Sequence, residues 1–164
     1  MSTALRVTFV VTLFTTGVVA AVYFSELIGM NPMLGPLGAE EYLRLKQVLM
    51  KAYDPTMPII GIGGSVFYVA WLILQWRDGR ASPRFVLGAA AFLLLVASTV
   101  VTSMGELPAN TALKAMVPTA PDPSWAELRA RTMSVIQVRT WLAMASFLVL
   151  CVGATYGTAR REAA

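Results

Sequence analysis

Residues 85–104 read FVLGAAAFLLLVASTVVTSM, which is a run of 20 residues without a charged side chain. About 20 apolar residues in an α-helix are enough to cross the hydrocarbon core of a bilayer. Three further segments meet the same criterion, at about 7–28, 57–76 and 138–156. The sequence therefore predicts an all-α membrane protein, a four-helix antiparallel bundle that forms a single domain over residues 1–164.

The composition of the chain agrees with a surface that faces lipid. Hydrophobic residues make up 57% of the sequence and charged residues 13%, and the mean hydropathy is +0.65. Soluble domains carry about 25% charged residues, roughly twice as many. The net charge is +4, but the basic residues lie at the ends of the apolar segments and not along one stripe. This distribution favours the lipid bilayer over nucleic acid as a partner.

Histidine is absent from the sequence, and cysteine occurs once, as Cys151 in an apolar run. These counts exclude a His-ligated haem, a His-rich metal site, an internal disulfide and a nucleophile activated by histidine. Cys151 is interpreted as a small hydrophobe of the core or the lipid face. No metal site is predicted, and any catalysis would rest on carboxylates, amides, guanidinium groups, aromatic rings and water.

The first apolar segment begins after Arg6 and contains Ala20-Ala21, two features of a signal peptide. Its apolar run is longer than the about 7–15 residues of a signal-peptide core, and it lacks a clean small-x-small cleavage site. The segment is therefore expected to stay in the protein as a transmembrane helix.

Basic residues cluster on one side of the predicted bundle. They flank the first span, lie in the short link between the second and third spans, and precede the end of the chain: Arg6, Arg77, Arg80, Arg84, Arg160 and Arg161. Under the positive-inside rule this side is cytoplasmic, which places both termini inside a multi-pass protein of the cell membrane. Trp76 and Tyr156 would be aromatic anchors at that interface. The long connections, 29–56 and 105–137, then share the opposite side, although they also contain basic residues: Lys46, Lys51, Arg129 and Arg131.

The first long connection contains a predicted amphipathic helix at about 39–53. Four apolar or aromatic residues recur there at helical spacing: Tyr42, Leu45, Leu49 and Tyr53. Their face would lie against the bundle or at the membrane interface. The pairs Asn31-Pro32 and Asp54-Pro55 are typical chain breakers and are predicted to bracket this helix.

The second long connection is predicted to be extended because it contains three prolines: Pro118, Pro121 and Pro123. Ser124 then precedes Glu127 by three residues, which is the spacing of a capping box and predicts the start of a helix. No chain breaker follows before Gly153, so the fourth span is predicted to project beyond the membrane as one long helix.

Several short motifs together point to one family. In the second half of the chain they are Gly105-Glu-Leu-Pro108-Ala-Asn110, Ser124-Trp125, Arg129-Ala-Arg131 and Val138-Arg139-Thr140. In the first half they are Gly17, Ser25, Asn31-Pro32-Met-Leu, Gln47 and the stretch from Tyr53 to Met57-Pro58. Most of the chain resembles the anthrone oxygenase family of small four-helix membrane proteins. It departs from the family pattern at Thr132 and Gln137, where an aromatic residue and a histidine are common.

This resemblance implies a cofactor-independent membrane oxygenase that acts on a lipophilic aromatic, anthrone-like substrate. Deprotonation of such a substrate beside its carbonyl gives a delocalised anion that reacts with O₂ directly. The protein then needs to supply a flat apolar pocket, a base, and donors that stabilise the oxyanion. The alternative is a non-enzymatic membrane protein that binds a small molecule or serves as an accessory subunit of a membrane partner. Either protein is compatible with a homo-oligomer.

Four polar residues lie within one or two helical turns of the same membrane face, and we predict that they meet: Glu26, Glu106, Asn110 and Arg139. As a catalytic set, the carboxylates and the amide would act on the substrate while Arg139 neutralises an anion. A structural interpretation is also open for each residue. Asn110 would cap a short helix in the loop after the third span, and each glutamate would form a buried salt bridge, Glu26 with Arg139 or Lys114.

The substrate-binding candidates are aromatic residues near that face together with one cation: Trp125, Trp141, Tyr23, Tyr53 and Arg131. Aromatic rings on two sides would hold a flat ligand. The alternative for the rings is an interfacial aromatic belt, and the alternative for Arg131 is a solvated helix pair with Glu127, four residues earlier.

Overall fold

The computed structural model describes residues 2–54, 56–78 and 82–155. Within these ranges all regular structure is helical, which confirms the predicted all-α class. The elements in chain order are α1 (Thr3–Ser25), a first π turn (Glu26–Met30), α2 (Asn31–Leu34), α3 (Ala39–Tyr53), α4 (Thr56–Asp78), α5 (Pro83–Val101), a second π turn (Thr102–Glu106), α6 (Leu107–Ala115) and α7 (Trp125–Thr155). The sequence features that involve Pro55, Arg80, Tyr156, Arg160 and Arg161 lie outside the described residues.

Four helical stretches are long and apolar enough to cross a membrane, and they include the four segments predicted as spans. They are Thr3–Leu34, Thr56–Arg77, Pro83–Ala115 and Trp125–Thr155, and each is longer than the sequence alone indicated. At a rise of about 1.5 Å per residue, the 31 residues of α7 extend about 47 Å, more than the roughly 30 Å of a hydrocarbon core. The long fourth helix expected from Ser124 onward is therefore present.

The pair Asn31-Pro32 does not end the first helix, so the prediction of a chain breaker there was wrong. The chain widens into the first π turn, in which the Asn31 N–H bonds to the Glu26 carbonyl five residues earlier. Pro32 then falls in the first turn of α2, where the missing N–H would have had no helical partner. The helix thus passes the proline with a local change of pitch.

The same arrangement recurs at the end of α5. In the second π turn the Leu107 N–H bonds to the Thr102 carbonyl, and Pro108 occupies the first turn of α6. The third span consequently continues to Ala115 as one helical stretch. Asn110 is the fourth residue of α6, so its expected position in a loop, as a helix cap, was also wrong.

The long helices associate as two pairs. α1 packs chiefly along α4, and α5 chiefly along α7, while α1 also contacts α7. Near the link between α4 and α5 the pairs share an apolar core: Leu5, Phe9, Tyr68, Trp71, Ala91 and Leu150. Gly88 on α5 permits this close contact, because the Tyr68 hydroxyl donates to its carbonyl at 3.1 Å and a Cβ at Gly88 would lie 2.4 Å from the Trp71 ring.

α3 covers the other end of the molecule and has the predicted bounds. Its buried residues are Tyr42, Leu43, Lys46 and Met50. Leu45, which is on the face predicted to lie against the bundle or at the membrane interface, is 39% exposed. The Gln47 amide donates to the carbonyls of Leu113 at 3.1 Å and Met116 at 2.9 Å, which ties α3 to the end of α6. Burial raises the pKa of the Tyr42 hydroxyl.

The start of α7 differs from the predicted capping box. The Ser124 N–H donates to Asp122 Oδ1 at 2.8 Å, so the carboxylate that completes the turn is Asp122 and not Glu127. Hydrogen bonds from the Ser124 hydroxyl and N–H lower the pKa of Asp122. The acceptor lies two residues before the serine, which is the geometry of an Asx turn.

Candidate functional site

A cavity of about 920 Å³ lies between α1, α3, α4, α5 and α7. Its volume is within the range of small-molecule sites, about 300–1,000 Å³. Most of its wall is apolar, and it includes Val22, Leu49, Met50, Met57, Ile60 and Leu95. Polar side chains gather where the two π turns face α7.

α4 and α5 contact each other near their short link. Near the link the rings of Trp76 and Phe85 are 5.3 Å apart. Farther from it, side chains of both helices line the cavity. At its edge Ile62 and Val66 are 68% and 63% exposed. The wall of the cavity therefore includes α4 residues that are exposed on the apolar outer surface of the helices.

Arg139 on α7 is the centre of the polar cluster and is 5% exposed. Its Nη1 donates to Glu106 Oε2, and its Nη2 donates to Glu26 Oε2. Asn110 Nδ2 donates to Glu106 Oε1 at 3.2 Å. The predicted meeting of these four side chains is therefore present, whereas their catalytic roles stay predictions. Arg139 forms salt bridges with both Glu26 and Glu106, so the structural interpretation of these residues is also compatible with the cluster.

The two π turns position the carboxylates. Glu26 is the first residue of the first π turn, and Glu106 is the last residue of the second. A π turn inserts one residue into the helix and shifts the direction of the side chains around it, and such turns are frequent at functional sites. Glu26 and Glu106 thus reach the same guanidinium from opposite helices, although each lies on a helix that continues past it.

Lys46 on α3 is a member of the cluster that the sequence analysis missed. Its side chain is 6% exposed, it lines the cavity, and its Nζ lies 3.7 Å from Glu26 Oε1. The signal was present in the sequence, because Tyr42, Lys46 and Met50 follow each other at intervals of four and so share one helix face. A lysine on that face was interpreted only as a loop charge.

Two buried polar atoms of the cluster have no hydrogen-bond partner among the described residues. They are Arg139 Nε and Asn110 Oδ1. Both residues line the cavity. Because an unpaired buried polar atom is costly, these atoms indicate where the polar group of a ligand would bind.

Tyr23 and Tyr53 line the cavity, as expected of substrate-binding residues. The Tyr23 ring centroid lies 4.2 Å from the Arg139 guanidinium carbon, a cation–π contact that presents one aromatic face beside the cluster. Lys114 pairs with Asp54 at the rim of the cavity, and not with Glu26.

Three other binding candidates lie outside the cavity lining, which corrects the prediction. The centroid of the Trp125 ring lies 5.8 Å from that of the Tyr42 ring on α3. Trp141 is 61% exposed. Arg131 Nη2 lies 3.5 Å from the Met104 carbonyl, so the expected pair with Glu127 is replaced by a contact with the chain. All three are near the correct membrane face but project from other sides of α7, which proximity along the sequence does not determine.

The described residues contain no group of three or more His, Cys, Asp or Glu side chains that would hold a metal ion. Comparison of the chain with protein-family models, with curated proteins and with solved structures found no match.

Proposed function

We propose that this chain is a multi-pass membrane protein, an antiparallel four-helix bundle, that oxidises a lipophilic aromatic substrate with O₂ and without a cofactor. The observation that carries the proposal is the cluster of Arg139, Glu26, Glu106 and Asn110 at the polar end of a large apolar cavity. This combination is what an anthrone oxygenase-like reaction requires. The resemblance of the sequence to that family supplies the reaction type.

The reaction proposed is the conversion of an anthrone to an anthraquinone. One molecule of O₂ is consumed; the CH₂ carbon loses both hydrogens and gains one oxygen atom as a carbonyl, and the other oxygen leaves as water. The carbon acid must first lose a proton to a base, and charge then develops on the ring oxygen. A buried carboxylate can accept the proton, and a cation beside it can stabilise the charge on the oxygen.

The shape and surroundings of the cavity suit such a substrate. Its walls are apolar, Tyr23 offers a ring face beside the cluster, and two of its lining residues, Ile62 and Val66, are exposed on the apolar surface of α4. A lipophilic substrate dissolved in the bilayer would enter past these residues without crossing water. The unpaired Asn110 Oδ1 and Arg139 Nε would orient its polar edge.

A second candidate, a non-enzymatic binding or accessory protein, is favoured by a different observation. Each of the two carboxylates of the cluster is paired with Arg139, as in a structural clamp between helices. Such a protein would bind aromatic molecules in the cavity, or dock a membrane partner, without consuming O₂.

The test is O₂ uptake by the purified protein in detergent with anthrone as substrate, corrected for spontaneous oxidation in protein-free micelles. The oxygenase predicts one O₂ per anthraquinone formed. Asn110→Ala should lower turnover roughly tenfold, the effect of one lost hydrogen bond of about 1.4 kcal/mol, with little loss of stability. Binding of anthrone under nitrogen without any uptake in air would reject the oxygenase in favour of the binding protein.

A further inference from the structure

We infer that Glu26 and Lys46 form a proton-abstracting pair: Glu26 Oε1 takes a proton from the bound ligand, and the Lys46 ammonium stabilises the oxygen anion that results. The inference rests on the proposed function, because it assigns the base and a catalytic cation of that reaction. It also identifies the ligand as a neutral, lipophilic carbon acid whose acidic C–H bond is conjugated with a carbonyl oxygen.

The two carboxylates of the cluster differ in how their oxygens are used. Glu106 is bonded through both, with Oε2 accepting from Arg139 and Oε1 from Asn110. Glu26 accepts from Arg139 through Oε2, while Oε1 accepts no hydrogen bond from the described residues. The Glu26 side chain is also more exposed, at 16% against 7% for Glu106. Glu26 Oε1 is therefore the carboxylate oxygen that a ligand in the cavity can reach.

Lys46 is held beside that oxygen without being bonded to it. The distance of 3.7 Å from Nζ to Glu26 Oε1 exceeds the about 2.7–3.2 Å of an N–H···O hydrogen bond. No described residue accepts a hydrogen bond from this ammonium, although its side chain is 6% exposed. Nζ itself is not fully buried, so the ammonium has unused donors that a ligand in the cavity can reach.

A neutral ligand fits the charge of the cluster. Two cations, Arg139 and Lys46, face two carboxylates, Glu26 and Glu106, so the cluster is neutral when all four are ionised. A ligand that carried a permanent negative charge would leave the buried site with an uncompensated charge. A neutral molecule would not, and it would also suit the apolar wall of the cavity.

The proton transfer conserves this balance. The ligand C–H bond breaks, the proton moves to Glu26 Oε1, and the electron pair delocalises onto the ligand oxygen. Before the transfer the Lys46 ammonium lies near the negative charge of Glu26. After the transfer Glu26 is neutral, and the ammonium lies near the negative charge of the ligand oxygen. In a site of low dielectric this nearby cation stabilises the developing charge strongly.

The experiment measures proton transfer alone. The purified protein in detergent is incubated with anthrone in D₂O under nitrogen, and exchange of the CH₂ hydrogens is followed by mass spectrometry against protein-free micelles. We expect the protein to accelerate exchange, and Glu26→Gln and Lys46→Met each to slow it about a hundredfold, the usual effect of losing a base or an oxyanion donor. Lys46→Arg should restore part of the rate.

Control variants test whether the effect is specific to Glu26 and Lys46. Lys51→Met removes an exposed lysine from the same helix and should leave exchange unchanged. If Glu26→Gln does not fold, Glu26→Asp should fold and show an intermediate rate, and the Lys46 variants test the pair independently. Quenching of tryptophan fluorescence by bound anthracene verifies that each variant keeps its cavity.

The outcomes separate this inference from the proposed function. Exchange that depends on Glu26 and Lys46, without O₂ uptake in air, supports the pair and rejects the oxygenase. O₂ uptake with anthrone but unaccelerated exchange, or exchange abolished by Glu106→Gln and not by Glu26→Gln, overturns the pair. A protein that accelerates neither reaction overturns both.

Discussion

Arg139 connects three long helices through one side chain. It projects from α7 and donates to carboxylates that follow α1 and α5. Charge-assisted hydrogen bonds of this kind are stronger than neutral ones. Because Arg139 is 5% exposed, removing its side chain leaves two carboxylates inside the protein without their main partner. The stability of the cluster therefore depends on Arg139 more than on any single carboxylate.

We predict that Arg139→Ala destabilises the folded protein by about 3–5 kcal/mol, the cost of leaving a buried charge without its partner. Thermal unfolding in detergent, followed by circular dichroism, measures the change. Arg131→Ala is the matched control, because Arg131 is exposed and contacts one carbonyl at 3.5 Å. It should shift stability by no more than about 0.5 kcal/mol. Equal effects of the two variants would contradict the central role of Arg139.

For single residues, the sequence predicted the position along a helix. It did not predict the side of the helix from which the side chain projects. Glu26, Glu106 and Arg139 were expected to meet because they lie at similar depth, and the cost of buried charge requires partners. Trp141 lies at the same depth but faces outward. Its position depends on the rotation of α7 about its axis, which nearly uniform hydrophobicity leaves undetermined. Lys46 was missed because a lysine outside a span is usually solvated.

Two Xaa-Pro pairs, which usually end a helix, lie within continuous helical stretches of this protein. Asn-Pro and Leu-Pro are typical of helix ends, yet α2 and α6 continue the helices in front of them. The two π turns that make this possible have no distinct sequence signal. The bounds of the amphipathic α3 were predictable within about one residue, whereas only Tyr42 of its predicted apolar face is among its buried residues.

The approach of α4 to α5 gives a prediction about glycine. A Cβ at Gly88 would lie 2.4 Å from the buried Trp71 ring, so Gly88→Ala should destabilise the fold by about 1–3 kcal/mol through overpacking. Gly63→Ala on α4 is the control, because no atom lies within 4 Å of its added Cβ. It should be neutral or stabilising by up to about 1 kcal/mol through helix propensity. Thermal unfolding of both variants decides, and a neutral Gly88→Ala would contradict this packing.

A further prediction concerns the attachment of α3. The Gln47 amide satisfies carbonyls near the end of α6, which lack helical partners. Gln47→Ala should cost about 1–3 kcal/mol, the penalty of unpaired carbonyls, and should expose α3 to faster amide exchange. Val48→Ala, at a position 62% exposed, is the control and should change neither. Unchanged exchange in α3 of the Gln47 variant would show that apolar contacts alone hold it.

The whole molecule is asymmetric along its helices. At the end near the α4–α5 link, aromatic rings fill the space between the helix pairs; at the other end the pairs enclose the cavity and α3 covers it. Four spans and two long connections were predictable from apolar run lengths. The cavity was not, because residues of several helices line it and the uniformly apolar sequences of these helices do not determine their spacing.

The orientation of this asymmetric molecule in the membrane is the remaining prediction. Six basic residues flank the link and the termini, against seven on the side of the long connections. Two of those seven, Lys46 and Arg139, are buried with carboxylates and are not loop charges. The short, arginine-rich link then dominates, which places the link and both termini in the cytoplasm and the cavity toward the outer face.

Single cysteines in a Cys151→Ala background test this orientation. Ala120→Cys in the second long connection should react with a membrane-impermeant maleimide in intact cells, whereas Ala81→Cys in the link should react only after lysis. Cys151 is removed first because it is only partly buried and would contribute background labelling. The opposite pattern would invert the molecule and place the cavity toward the cytoplasmic leaflet. Since O₂ and a lipophilic substrate reach both leaflets, inversion would change the side of product release and leave the chemistry of the cluster as proposed.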